Sequence, residues 1–138
     1  MKHIYRLFIA LLIMAGLLAA CGPKSTSVEK IEPYHLEVIE GSDFQRVILT
    51  EKAAQRLDIQ TAPIGAGNVI PYAAVLYGLN GETWTYTNPE PLVFVRQSIV
   101  IDRIEGDSAF LSEGPDTGTA VVIIGAAELY GAEVGVKK

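Results

Sequence analysis

The chain has 138 residues, with 11 basic and 16 acidic side chains, one cysteine, two methionines and two histidines. That length builds one small domain, or two very small ones. The acidic balance argues against nucleic acid and against adhesion to anionic lipid headgroups. With so few soft ligands, only a carboxylate metal site is within reach.

The N-terminus reads as an address. Lys2 and Arg6 form a basic start, Leu7 to Leu18 is a nearly unbroken apolar run, and small Ala19 and Ala20 precede Cys21. This is the layout of a secretory signal, too short for a permanent span of about 20 apolar residues. The tetrad Leu18-Ala19-Ala20-Cys21 makes it a bacterial lipoprotein signal peptide over residues 1–20, with Cys21 the first mature residue. A thiol at that position takes a diacylglycerol, and stable anchoring needs at least two acyl chains. The sole cysteine of an exported chain has no internal disulfide partner, which suits an anchor. Removing residues 1–20 takes Lys2, Arg6 and both methionines but no acidic residue, so the mature net charge is −7.

Residues 21–33 read as a flexible linker, rich in Lys, Ser, Thr and Glu with proline at both ends. Such a segment buries too little to offset its ordering entropy.

The folded part begins near Tyr34. His35 to Glu40 alternates as a strand, Gly41-Ser42-Asp43 is a turn, and Phe44 to Leu49 is a second strand. Thr50 is placed to cap a helix over Glu51 to Leu57, with Asp58 taking the left-handed position after it. Ile59 to Ile64 returns as a strand, and Gly65 to Asn68 is a joint.

The second block is β-rich. Val69 to Tyr77 reads as one strand, with Pro71 near its start. Asn80-Gly81 signals a hairpin into Thr83 to Thr87, where Trp84 and Tyr86 share a face. Asn88 to Pro91 reads as a turn and Leu92 to Ile101 as one long strand, followed by a hairpin around Gly106 to Ser108–Leu111. Gly114 to Gly118 is a loop and Thr119 to Ile124 a buried strand. Gly125 to Gly131 is a helical turn ended by glycine, and Ala132 to Val136 adds an edge strand. Many short strands with turns between them predict a mainly β fold, a small β-barrel or β-roll with one or two short helices.

No catalytic constellation or cofactor site is expected. His35 lies beside Glu37 and Glu40 without a motif and reads as a surface residue. Gly65-Ala66-Gly67 lacks the lysine and helix start of a phosphate loop. Asp102, Glu105 and Asp107 do not have calcium-loop spacing and read as a solvated turn. Tyr72, Trp84 and Tyr86 are either core or an aromatic binding surface. Arg96, in mid-strand, either pairs with a cross-strand carboxylate or marks an outward docking face. Arg96, Trp84 and Tyr86 are therefore the residues to watch as a partner surface.

These residues carry a family likeness. Ile70-Pro71-Tyr72-Ala73-Ala74-Val75-Leu76, Gly81 to Tyr86, Phe94 to Ile101, the hairpin at Gly106, and Val121 to Leu129 together resemble the membrane-proximal domain of periplasmic adaptor subunits. These are the membrane fusion proteins of RND-type efflux pumps, a HlyD-like family. Phe44 to Ile64 is similar to a strand–helix–strand piece of the same adaptors, where glycine is usual at the place of Asp58. The resemblance implies residues 34–138 as one β-rich adaptor-like domain, with a 34–68 piece and a 69–138 membrane-proximal-like module. Only four residues separate Ile64 from Val69, so the lipoyl-like domain and helical hairpin of a full adaptor have no room. The expected function is that of a lipid-anchored, non-enzymatic, adaptor-like accessory subunit that binds another envelope protein, an efflux transporter or an adaptor subunit. The alternatives are a ligand-binding lipoprotein using a cleft between the two blocks, and a structural lipoprotein with no dedicated ligand. The expected location is the extracytoplasmic side of the envelope, on the outer membrane or the outer face of the plasma membrane.

Overall fold

The computed structural model describes residues 32–135; the expected signal peptide, Cys21 and the expected linker up to residue 31 lie outside them. The described chain is mainly β, in ten strands and two helices. They are β1 (Tyr34–Val38), β2 (Gln45–Leu49), α1 (Glu51–Leu57), β3 (Gln60–Pro63), β4 (Val69–Pro71), β5 (Leu76–Tyr77), β6 (Thr83–Glu90), β7 (Val93–Ser98), β8 (Val100–Glu105), β9 (Ser108–Glu113), β10 (Ala120–Ile124) and α2 (Ala126–Val134). No helix among the described residues is long and apolar enough to cross a membrane.

Two antiparallel sheets form. The larger runs β1-β2-β7-β6-β10-β3, with β5 also paired to β6, and the smaller runs β4-β9-β8. They do not close into a barrel, which corrects the closed form of the sequence expectation. The chain passes between the sheets four times, and β1 and β3 at the ends of the larger sheet and β4 and β8 at the ends of the smaller keep open edges. Strands β2 and β3 of the first block pair with β7 and β10 of the second. The two blocks thus share one sheet, and a cleft dividing them is replaced by hydrogen-bonded strands.

The centre of the large sheet, at β6 and β10, is buried on both faces, whereas the outer strands β1 and β3 are largely exposed. Val47, Leu49, Tyr86, Phe94 and Val122 pack with Ala53 of α1 and Ala126 and Leu129 of α2. The adjacent residue Val121 points the other way and packs with Ile64, Ile70, Ala74, Ile99, Ala109 and Leu111. Period-two alternation explains the split, since neighbours on a strand face opposite sides. Helices therefore cover one face and the small sheet covers the other.

Local signals hold where their chemistry is local. Thr50 Oγ1 accepts the Ala53 N–H at 3.2 Å, and Asp58 sits left-handed at φ 49°. The departures have tertiary causes. The single strand expected over 69–77 breaks after Pro71 into a 3-10 turn, Tyr72–Ala74, closed by Val75 N–H to Tyr72 O at 3.0 Å. That turn buries Ala74 and carries the chain from the small sheet to the large one. The long strand expected over 92–101 breaks at Ile99, which is buried between the sheets. Its N–H donates to Thr83 O at 3.0 Å, and its carbonyl accepts Thr83 Oγ1–H at 2.7 Å.

The turn expected at 88–91 falls at Pro91-Leu92, because Asn88 Nδ2 donates to the carbonyls of Glu90 and Val93 and lets β6 run on through a bulge. The C-terminal helix does not stop at Gly131, and the edge strand expected over 132–136 is absent among the described residues. Helix α2 continues to Val134. A glycine inside a helix costs about 1 kcal/mol relative to alanine. The packing of Leu129, Tyr130 and Glu133 on one face offsets it.

Candidate functional site

Three of the sequence's marked residues come together, and not on the surface. Arg96, Trp84 and Tyr86 are 8%, 9% and 0% exposed. A partner surface built from their side chains is thereby corrected to an interior cluster. On β6 and β7, Tyr86 lies directly across from Arg96, on the face that the helices cover. The carboxylate that Arg96 needs comes from neither strand. It is Glu133, in the last turn of α2.

Glu133 binds on both oxygens. Its Oε1 accepts Gln45 N–H at 3.2 Å and Arg96 Nη2–H at 3.2 Å. Its Oε2 accepts the Tyr86 hydroxyl at 2.5 Å and lies 3.0 Å from Arg96 Nε. The Nε contact is within ion-pair distance, but its N–H is not aimed well enough to count as a hydrogen bond. Aromatic faces surround the guanidinium. Its central carbon lies 4.5 Å from the Trp84 ring centroid, 4.6 Å from that of Phe44 and 5.1 Å from that of Tyr130. Trp84 and Tyr130 stack at 6.0 Å with 23° between planes. Cation–π contacts of this kind contribute on the order of 0.5–2 kcal/mol, most when desolvated.

Burial raises the Tyr86 hydroxyl far above its ordinary pKa, and its hydrogen bond to the Glu133 carboxylate raises it further, with Arg96 opposing weakly. Below about pH 10 both the folded and the unfolded tyrosine keep their proton, and this contribution to stability is complete. Above it the unfolded chain releases a proton that the folded chain holds, so stability falls as pH rises. Tyr86→Phe is expected to be less stable at neutral pH and to lose less on going from pH 8 to 11. Urea unfolding across that range checks this; parallel pH profiles for the two proteins would contradict it.

Trp84 depends on a close approach by Gly78. A Cβ on Gly78 would stand 2.5 Å from one Trp84 ring carbon and 2.9 Å from another. An aromatic ring cannot yield at its rim, so Gly78→Ala is expected to displace Trp84 and cost about 1–3 kcal/mol. Trp84 is the only tryptophan in the chain, so a shifted emission maximum reports the displacement directly.

The cluster borders a groove of about 880 Å³. Trp84, Arg96 and Phe44 line it, with Tyr77 and Glu82 from the β5–β6 hairpin, Val100, Ile101 and Ile104 from β8, and Asp43 from the β1–β2 turn. Tyr77, Val100 and Ile104 are exposed apolar side chains, and Leu79 at the hairpin tip is fully exposed. Tyr72 is also exposed, with its ring centroid 6.4 Å from that of Tyr77.

The remaining marked residues do not join this site. His35 pairs with Glu37 at 3.5 Å on the surface. Asp102 and Glu105 are both bonded to Arg103, at 3.0 and 2.6 Å. Among the described residues no group of three or more metal-ligating side chains assembles. Gly65 bridges to Val69 across a tight loop. Sequence reasoning missed Glu133 by ending the helix at Gly131, three residues before its end at Val134. The signal was present: Ala126, Leu129, Tyr130 and Glu133 keep helical spacing across Gly131.

Comparison of the chain with protein-family models, with characterised proteins and with solved structures finds no match.

Proposed function

We propose that this chain is a lipid-anchored, extracytoplasmic, non-enzymatic protein that docks on another envelope protein, as an adaptor-like accessory subunit. The observation that carries the reading is the open groove edged by exposed Tyr77, Val100 and Ile104 beside the exposed hairpin tip at Leu79. Apolar side chains gathered at an open groove suit a polypeptide partner, whereas sites for small molecules bury most of their ligand. The tetrad ending in Cys21 supplies the anchor in this reading. The resemblance to the membrane-proximal domain of efflux adaptors supports a β-roll of that kind and points to a transporter or adaptor subunit as the partner.

Two measurements test it. Cys21→Ser is expected to leave an unacylated, uncleaved precursor, seen as a larger protein that incorporates no labelled acyl chain; normal processing and acyl labelling of that variant would remove the lipid anchor from the reading. Crosslinking in native membranes is expected to recover one defined membrane protein. Recovery of the monomer alone, with a ligand-induced thermal shift, would replace docking with solute capture.

A further inference from the structure

Strand β8 has β9 on one side and no strand on the other, so it is an edge of the small sheet. An edge strand offers unpaired backbone N–H and C=O groups to an incoming strand. Natural edges are shielded by bulges and charge. Here the bulges fall between Val100 and Arg103, and the pairing from Arg103 to Glu105 is regular. The charges of Asp102 and Glu105 are both engaged by Arg103. Val100 and Ile104 remain exposed on this strand and line the groove.

The charges along the groove select what fits there. Arg96 is matched by buried Glu133. Asp43 and Glu82 also line the groove, and neither is in an ion pair among the described residues. The charges of the groove that lack a partner are therefore acidic. A second copy of this acidic chain is a poor electrostatic match.

We propose that the groove takes an extended segment of a partner protein, with alternating apolar and basic side chains, added as a strand along the free edge of β8. Backbone hydrogen bonds supply affinity in such strand addition, and alternate side chains supply specificity. The apolar side chains of the segment contact Val100, Ile104 and Tyr77, and its basic ones meet Asp43 and Glu82. The inference rests on the docking reading above and names the chemistry of the docked segment.

The test uses the full-length protein in detergent micelles. The probe is a fluorescent seven-residue peptide of alternating lysine and valine, read by anisotropy after subtracting its binding to protein-free micelles. Saturable binding is expected. Methylating all the peptide nitrogens of the probe, replacing its lysines by glutamate, and Ile104→Asp in the protein are each expected to weaken binding by about tenfold or more. Urea unfolding confirms that the Ile104→Asp protein is folded; if it is not, Val100→Asp takes its place. No binding of the lysine–valine peptide, undiminished binding of the methylated one, or self-association of the protein through β8 would each overturn the proposal. If the peptide fails while membrane crosslinking still recovers a partner, strand addition is wrong and docking stands. If crosslinking recovers none, the docking reading itself falls.

Discussion

Glu133→Ala is expected to destabilise the protein by about 3–5 kcal/mol, because it strands the buried Arg96 guanidinium without a counter-charge. The two side chains are 9% and 4% exposed, so solvent screens little of the loss. The same change removes the acceptor for the Tyr86 hydroxyl and the Gln45 N–H. For a domain of this size, each kcal/mol shifts the melting temperature by roughly 4–8 °C, so the fall exceeds about 12 °C. Removing both charges behaves differently. Replacing a buried ion pair with apolar side chains of similar volume is often neutral or stabilising. Arg96→Met combined with Glu133→Leu is therefore expected to recover much of the stability lost in either single variant. Thermal unfolding of the four proteins closes a double-mutant cycle. Additive losses would show that the two side chains do not depend on each other.

Gly125→Ala carries the second large effect, at about 3 kcal/mol. Gly125 precedes α2 at φ 90°, where a side chain is strained by about 1–2 kcal/mol. A Cβ there would also overlap Ile59 Cδ1 and lie 3.5 Å from the Leu57 carbonyl oxygen. The two costs are separable. Ile59→Val deletes the overlapping methyl but leaves the backbone strain. Combined with Gly125→Ala it is expected to return the overpacking part, about 1–2 kcal/mol, and no more. Urea midpoints of the two single variants and the pair decide this. Full recovery would assign the whole effect to the methyl, and no recovery would assign it to the backbone.

The elements legible in the sequence are those whose cause is local. Thr50 caps α1 because its hydroxyl lies three residues from a free N–H, and Asp58 turns left-handed because a short polar side chain tolerates that region. The hairpins at Asn80-Gly81 and Gly106-Asp107 join the strands expected of them. The illegible parts depend on distant residues. Nothing within Leu92 to Ile101 announces that Ile99 leaves one sheet for the other; the carbonyl and hydroxyl of Thr83, sixteen positions earlier, pin it there. The same holds for the site. Arg96 was visible as an anomaly in a strand, and Trp84 and Tyr86 as neighbours on a face. Glu133 lies 37 positions from Arg96, past a glycine that looked like a helix end. Burial then decides between the alternatives each residue carried, core for Trp84 and Tyr86 and an ion pair for Arg96, a choice strand alternation alone does not make because it does not say which face the helices cover.

The interior of the large sheet is conditional on the last turn of α2. Without Glu133, β6 and β7 pair around a guanidinium that has no counter-ion, and the Tyr86 hydroxyl and the Gln45 N–H lose their common acceptor. A chain stopped at Gly131 keeps every strand and still lacks the one side chain that neutralises its interior.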